Sequence, residues 1–159
     1  MVNLPARSES VTIAAEPAAV WSAVTDLRAM ARRSPELVGM WSFGRLKVGR
    51  STVNLNRRGW FVWPTFSTIT ALTAPSPTTP GRFAFAVWPT DVEWSYEVAA
   101  DGAGTRLSES RTAVIDPSLV VRATARLALG GQAGHDDEIV DGMRATLDAI
   151  GSELSGPRA

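Results

Sequence analysis

The sequence predicts an α+β fold in which an antiparallel sheet packs against a long C-terminal helix. Three features predict it: a stripe of apolar residues at helical spacing near the C-terminus, a succession of short strand segments before that stripe, and a first strand followed by two short helices. An apolar stripe needs a partner to pack against, and the sheet provides one. We therefore expect the last helix to rest on the sheet, with room for a cavity between them.

The chain begins with a predicted strand and two predicted helices. Polar and apolar residues alternate over residues 10–14, which indicates a strand. Pro17 suits the first position of a helix that ends near Asp26, and the buried stripe of this helix consists of Val20, Trp21, Val24 and Leu27. Asp26 can cap a second short helix through Met30, because aspartate accepts hydrogen bonds from the free N–H groups at a helix start, and the basic pair Arg32 and Arg33 suits its C-terminal end. Pro35 then stops the chain from continuing as a helix.

Six more strand segments follow, separated by turns rich in glycine and proline. Pro64 removes a backbone donor from one of them, so that strand should lie at an edge or contain a bulge. Residues 74–81 contain three prolines and are predicted to form a loop. The predicted strands cover residues 38–43, 51–58, 61–72, 82–88, 92–99 and 105–115.

The last three strands alternate most clearly between apolar and polar residues. If their apolar residues face the core, the period of two also turns Glu109 inward, because it lies two residues after Leu107. The strand at 61–72 alternates as well. One of its faces is predicted to carry Trp63, Thr65, Ser67 and Ile69.

Two helices are predicted after the strands. The first covers residues 119–129, and three glycines within residues 130–134 would let the chain bend there. The second covers residues 136–154. Acidic residues at its start suit the positive end of the helix dipole, and Gly156 and Pro157 end it. Its apolar residues are Ile139, Val140, Met143, Leu147, Ile150 and Leu154.

The composition is that of a soluble globular domain. Of 159 residues, 45% are hydrophobic and 20% are charged, so we expect one core and little disorder. We predict a single domain at residues 8–155, with flexible termini at residues 1–7 and 156–159. No segment approaches the ~20 apolar residues of a membrane span, and the N-terminus lacks the apolar core of a signal peptide. We therefore expect a cytoplasmic protein without stable membrane insertion.

Charge and cysteine content argue against several classes of protein. Sixteen basic residues balance sixteen acidic ones, which gives no electrostatic reason to expect nucleic acid as a partner. The lack of cysteine excludes disulfide bonds and a thiolate nucleophile. His135 is the only histidine, so a zinc site is not expected, and an exposed position at the start of the last helix is the simpler interpretation. We predict no cofactor, and a monomer or homodimer.

Six short sequences and the order of the elements carry a family resemblance. These sequences are VTIAAEPAAVWSAVTDL, NLNRRG, GRFAFAV, WSYEV, GTRLSESR and GMRATLDAI. In this order and spacing they resemble the START-like superfamily, in particular its bacterial polyketide cyclase/dehydrase group. The resemblance covers residues 11–154. It implies the helix-grip fold, in which a curved sheet wraps around the last helix and encloses a ligand chamber.

The resemblance implies less about function than about fold. Relatives with this architecture bind lipids, sterols, polyketides, plant hormones or chaperones, and only some are enzymes. In the aromatase/cyclase members the chamber folds a reactive polyketide, and polar side chains, often arginine, tyrosine or serine, position it for aldol closure and dehydration. No motif transfers those residues to this chain. The residues of the right chemical types are Arg57, Arg58, Ser67 and Tyr96.

Glu109 is the strongest single candidate for chemistry. On the inner face of the sheet, an ionised carboxylate without a partner would be costly, so the pKa of Glu109 should rise and the group could act as an acid or a base. Two alternatives remain open. Glu109 could form an ion pair with Arg58 or Arg111, or it could lie on the outer face after a shift of one residue in the register.

Other polar and aromatic residues also have two interpretations. Asn54 and Asn56 either face the interior and bind a ligand carbonyl group or lie on the solvated face. Arg57 and Arg58 precede Gly59 at a hairpin tip, where an exposed position is favoured over an anion clamp. A set of aromatic residues either fills the core or forms a wall of the cavity, namely Trp63, Phe83, Phe85, Trp94 and Tyr96.

We therefore predict a domain that binds a small hydrophobic, aromatic or lipid-like ligand in an internal cavity. The alternatives are a polyketide cyclase/dehydrase-type enzyme that acts in the same cavity and a protein-interaction module whose interior is filled. The catalytic candidates are Glu109, Arg58, Tyr96 and Ser67. The ligand-binding candidates are Asn56, Trp63, Thr65, Phe83, Phe85, Trp94, Tyr96, Glu109, Met143 and Leu147.

Overall fold

A seven-stranded antiparallel sheet is the largest element of the fold. The computed structural model describes residues 6–90, 92–113 and 132–156. The strands are β1 (Arg7–Ile13), β2 (Leu37–Ser42), β3 (Ser51–Arg58), β4 (Phe61–Thr73), β5 (Gly81–Trp88), β6 (Val92–Asp101) and β7 (Gly104–Ala113). Their order across the sheet is β1-β7-β6-β5-β4-β3-β2.

Three helices are described, and together they cover one face of the sheet. They are α1 (Pro17–Thr25), α2 (Leu27–Arg33) and α3 (Gln132–Ser155). Helix α3 packs against β1 and β7 and also contacts α1 and α2. This arrangement confirms the predicted α+β helix-grip fold, with a curved antiparallel sheet around the C-terminal helix. Among the described helices, none is both long and apolar enough to cross a bilayer.

The first helices follow the signals in the sequence. Helix α1 begins at Pro17, and the Asp26 carboxylate accepts hydrogen bonds from the backbone N–H groups of Arg28 and Ala29, both at 3.1 Å. Helix α2 ends at Arg33, which agrees with the prediction that the basic pair Arg32 and Arg33 lies at its C-terminal end. Pro35 disfavours a helical conformation of the residue before it, so the helix stops at Ser34.

Strand β4 contains both an edge segment and a bulge. Pro64 lies where β4 pairs with β3 only, since β5 joins β4 from Phe66 onward. The predicted edge position of Pro64 is therefore confirmed. The bulge is at a different place, between Ile69 and Ala71.

The final helix begins four residues before the predicted residue Asp136. It includes Gly134, so the predicted break in the helix at this residue is wrong. A single glycine costs a helix only ~1 kcal/mol relative to alanine, so neighbouring residues can carry the helix through it. Several predictions fall outside the described residues: the helix at 119–129, glycines 130 and 131, the end of the strand at 114–115, and most of both termini.

The hydrophobic core lies between the sheet and the C-terminal half of α3. Val98 of β6 and Leu107 of β7 face each other there and are completely buried. Ile13 of β1 and Ile150 of α3 belong to the same cluster. This end of the domain is filled with aliphatic side chains, which fixes α3 against the sheet.

Arg33 connects α2 to the end of α3. Its Nε and Nη2 donate hydrogen bonds to the two carboxylate oxygens of Glu153 at 2.8 and 2.9 Å, and its Nη1 donates to the carbonyl oxygen of Ala23 at 2.7 Å. Arg33 is only 8% exposed. Its hydrogen bonds hold the pKa of Glu153 below the usual value. One guanidinium group therefore joins all three described helices.

Replacing Arg33 with lysine should lower the free energy of unfolding by ~1–3 kcal/mol, because an ammonium group cannot bond both oxygens of Glu153 and also reach Ala23. Urea unfolding of the variant and the wild type measures this difference. Arg32→Lys, at the exposed neighbouring position, is the matched control and should change stability by less than ~0.5 kcal/mol. Equal stability of Arg33→Lys and the wild type would contradict the role assigned to this side chain.

Candidate functional site

A cavity of about 230 Å³ lies between the inner face of the sheet and α3. Strands β3 to β7 form its floor and walls, while Met30 and Met40 close one side. The exposed residues Pro35, Thr90 and Glu138 lie at its rim. The interior therefore contains an unfilled space. A protein-interaction module without a ligand chamber would instead have a filled interior.

Aromatic rings form the middle of the wall on the sheet side. Phe85 lies opposite Trp94 in the pairing of β5 with β6, and Phe83 lies opposite Tyr96. The ring centroid of Phe83 is 5.6 Å from that of Phe85 and 6.3 Å from that of Tyr96, and the Phe83 and Tyr96 planes differ by 15°. Trp63 lines the cavity from β4. These rings offer a broad apolar surface to a flat molecule.

Helix α3 closes the cavity with residues three or four positions apart. Ile139, Gly142, Met143 and Thr146 line it from this side. Leu147, a predicted ligand-binding residue, belongs instead to the hydrophobic core and is 2% exposed. Successive residues of a helix point ~100° apart around its axis, so Leu147 faces the packed core although its neighbour Thr146 lines the cavity.

Glu109 faces the cavity from β7. It lies opposite Tyr96 of β6, whose hydroxyl donates a hydrogen bond to Oε1 of Glu109 at 2.8 Å. Glu109 is 3% exposed and Tyr96 is 4% exposed. Oε2 of Glu109 is also buried and has no hydrogen-bond partner within the described part of the chain. Glu109 therefore lies on the inner face of the sheet, and the alternative that a register shift places it on the outer face is wrong.

Burial controls the ionisation of this pair. It raises the pKa of Glu109 to about 8, because a carboxylate loses its hydration in the interior, and the hydrogen bond from Tyr96 offsets only part of this effect. Burial also raises the pKa of Tyr96 well above the usual value, and the negative charge of ionised Glu109 raises it further. Near neutral pH, most Glu109 side chains are therefore protonated, and a protonated carboxyl group can act as a general acid.

A second group of polar side chains lies on β3 and β4. Nδ2 of Asn54 donates hydrogen bonds to Oγ of Ser67 at 2.5 Å and to Oγ1 of Thr65 at 3.3 Å, and Nδ2 of Asn56 donates to Oγ1 of Thr65 at 3.0 Å. Both asparagines and Thr65 line the cavity. Ser67 is buried but is not among the lining residues. Its hydroxyl is already engaged by Asn54, which makes it a supporting residue of this wall.

The two arginines of the β3–β4 hairpin lie outside the cavity. Arg57 is exposed. Arg58, one of the catalytic candidates, forms an ion pair with Glu138 of α3. Arg58 thus connects the hairpin to the helix at the rim, where it does not reach the carboxyl group of Glu109.

Several lining residues were not among the sequence-based candidates. Met30 and Met40 could not have been identified, because the position of α2 against the sheet and of β2 at its edge depends on tertiary contacts. Two others had a local signal. Arg111 follows Glu109 by two residues on the same face of β7, and Thr146 follows Met143 by three residues on one face of α3.

The described ranges contain no group of three or more histidine, cysteine, aspartate or glutamate side chains that could hold a metal ion. The side chain of His135 lies outside the described residues. The polar side chains that line the cavity are suited to hydrogen bonding and, at Glu109, to proton transfer.

Comparisons with known proteins identify a family and several related folds. The sequence profile of the family described as "Polyketide cyclase / dehydrase and lipid transport" matches residues 7–149. A comparison with curated proteins finds no match.

Three solved structures illustrate the shared fold. The KanY protein has a TM-score of 0.68 and 16% identity, covering 98% of this chain and 100% of its own. The di-domain ARO/CYC StfQ from the steffimycin biosynthetic pathway has a TM-score of 0.68 and 12% identity, covering 94% of this chain and 50% of its own. The polyketide-cyclase-like protein Cgl2372 from Corynebacterium glutamicum has a TM-score of 0.57 and 22% identity, covering 94% of this chain and 90% of its own. Identities this low show the fold alone.

The contribution of Glu109 to the free energy of unfolding should fall as the pH rises from about 4.5 to about 8. Protonated Glu109 stabilises the folded state fully below the unfolded-state pKa of 4.5, and this stabilisation is lost as the pH passes the folded-state pKa of about 8. The slope reaches at most ~1.4 kcal/mol per pH unit. Urea unfolding at a series of pH values measures it.

Glu109→Gln should remove this part of the pH dependence, because glutamine does not titrate. Glu97→Gln, an exposed position on the neighbouring strand β6, is the control and should keep the wild-type slope. If wild type and Glu109→Gln lose equal free energy of unfolding between these pH values, the conclusion that burial raises the pKa of Glu109 is wrong.

Proposed function

The chain belongs to the polyketide cyclase/dehydrase and lipid transport family, and on that premise we propose that its cavity binds a small, largely apolar molecule. One observation carries the proposal: the cavity has flat aromatic rings on one side, methionines and a helix on the other, and a few buried polar groups between them. Ligand sites in proteins typically combine a mostly apolar lining with a few such polar groups.

The size of the cavity limits the ligand. Its volume of about 230 Å³ is below the ~300–1,000 Å³ of sites for drug-sized molecules. A bicyclic or tricyclic ring system suits this space better than a sterol or a long acyl chain. The aromatic wall favours a flat molecule for the same reason.

Catalysis in the same cavity is the second candidate function. The observation that favours it is the buried carboxyl group of Glu109, hydrogen-bonded to Tyr96. In a dehydration, the Glu109 carboxyl group would protonate the departing hydroxyl, and the resulting carboxylate would then accept the proton from the adjacent carbon, so that one water molecule is lost. Arg58 and Ser67 are less suited to this role, since neither is among the lining residues.

Other sequence-based expectations also remain proposals. We propose a single ligand-binding domain over residues 8–155 that acts in the cytoplasm as a monomer or homodimer, without nucleic acid as a partner. The balanced charge of the chain supports the last point.

Gly142→Leu should weaken ligand binding by at least about tenfold, because the new side chain would occupy space that the ligand needs. A Cβ atom at Gly142 is 3.8 Å from the nearest side-chain atom, that of Pro35, so the backbone accepts the change. Tryptophan fluorescence titration with bicyclic and tricyclic compounds measures affinity, because Trp63 and Trp94 line the cavity.

Gly151→Ala provides the matched control. It changes another glycine of α3, where the added Cβ atom lies 3.7 Å from Ile13 and outside the cavity lining. This variant should bind like the wild type. If Gly142→Leu also binds like the wild type, the cavity is not the binding site.

Glu109→Gln should separate binding from catalysis. Glutamine has nearly the same shape but cannot transfer a proton, so an enzyme should lose ~10²–10⁴-fold in turnover while its ligand affinity stays the same. Turnover of candidate β-hydroxyketones is followed by the ultraviolet absorbance of the unsaturated product. Undiminished turnover by the variant would exclude Glu109 as the acid and base.

A further inference from the structure

One oxygen of the Glu109 carboxyl group is buried and has no hydrogen-bond partner among the described residues. Oε1 of Glu109 accepts the hydrogen bond from Tyr96, whereas Oε2 is buried without a partner among the described residues. Glu109 is also a lining residue of the cavity. Buried polar groups in proteins are nearly always hydrogen-bonded. The unpaired Oε2 at the cavity therefore indicates that a group of the ligand forms the missing hydrogen bond.

The position of the proton decides what kind of ligand group fits. Burial favours the protonated carboxyl group near neutral pH. Because Oε1 accepts the hydrogen bond from Tyr96, the carboxyl proton of Glu109 lies on Oε2. The cavity therefore presents an O–H donor at this point, and its complement is an acceptor such as a carbonyl oxygen.

The charged and titratable groups around Glu109 come from several elements of the fold. Arg111 faces the cavity two residues further along β7. Glu9 of β1 lies opposite Glu109, and both of its oxygens accept hydrogen bonds from Arg144 of α3 at 3.2 Å. The carboxylate of Glu9 is therefore paired with Arg144, and the O–H group of Glu109 remains a donor for the ligand.

Tyr96, Glu138 and Glu36 are further charged or titratable groups that line the cavity. Tyr96 of β6 is the partner of Oε1. Glu138 of α3 lies at the rim and is paired with Arg58. The guanidinium of Arg111 is also a donor group, so an uncharged oxygen acceptor suits this end of the cavity better than another donor does.

The flat rings next to this donor define the rest of the ligand. Trp94 lies opposite Arg111, one inward position from the Tyr96–Glu109 pair, and Phe85 lies opposite Trp94. Resting on the proposed binding function, we propose that Glu109 selects flat, uncharged ketones, whose carbonyl oxygen accepts a hydrogen bond from Oε2 while the ring lies against Phe85 and Trp94. The related hydrocarbons without the carbonyl group are bound more weakly.

A matched pair of ligands tests this selection. 1-Tetralone and tetralin have the same fused rings and differ only in one carbonyl group. At pH 6.5, wild-type protein should bind 1-tetralone about tenfold more tightly than tetralin, as expected for one added hydrogen bond. At pH 9.5, where Glu109 loses its proton, this preference should disappear. Isothermal titration calorimetry measures both affinities, and circular dichroism verifies that the protein stays folded at each pH.

Two variants assign the preference to Glu109. Glu109→Gln keeps an N–H donor that does not titrate, so its preference for 1-tetralone should persist at both pH values. The double variant Glu109→Leu/Tyr96→Phe removes the donor together with the phenol hydroxyl that would otherwise lose its partner, so it should bind the two compounds equally.

Each contrary outcome has a distinct meaning. Equal binding of the two compounds by wild type at pH 6.5 would overturn the selection by Glu109 and leave the proposed binding function standing. A preference that persists in the double variant Glu109→Leu/Tyr96→Phe would also overturn it. If wild type binds neither compound up to its solubility limit, both the selection and the proposed function fail.

Discussion

The pairing of β6 with β7 determines both the core and the cavity of this domain. Three successive inward-facing pairs of these strands are Val98 with Leu107, Tyr96 with Glu109, and Trp94 with Arg111. The first pair is completely buried in the aliphatic core, whereas the other two line the cavity. The core ends and the cavity begins at this point because aromatic and polar side chains take the place of aliphatic ones at successive inward positions. Aliphatic groups pack densely against α3, and the larger polar groups must find hydrogen bonds instead.

Two kinds of contact fix the position of helix α3 relative to the sheet. Its C-terminal half rests on the core, and ion pairs connect it to three other elements along its length. These pairs are Glu138 with Arg58, Arg144 with Glu9, and Glu153 with Arg33. The two pairs with solvent-accessible arginines contribute little energy individually, whereas the guanidinium of Arg33 is buried. Together the three pairs connect the helix to β3, β1 and α2.

The fold was predictable because its signals are local, whereas the site was predictable only in part. Alternation along β7 was sufficient to turn Glu109 inward, and Asp26 identified the start of α2. The partner of Glu109 could not be derived in this way, since the residue opposite it depends on the register that the turn at 102–103 imposes. Helical spacing identified the correct face of α3 but not where the cavity ends along it, which is why Leu147 was included. Met40 could be located only from the structure, in which β2 forms the edge of the sheet next to α2.

Tyr96 has a further property that follows from the composition of the chain. It is the only tyrosine among 159 residues, and its hydroxyl is bonded to Glu109. Any signal from the phenol group of tyrosine in this protein therefore comes from Tyr96 alone. The six tryptophans do not share this advantage, because Trp60 is 92% exposed and Trp88 is 63% exposed. Ultraviolet difference spectra in the phenol band, or a single isotopic label on tyrosine, would observe the carboxyl–phenol contact without overlap from any other residue of the same type.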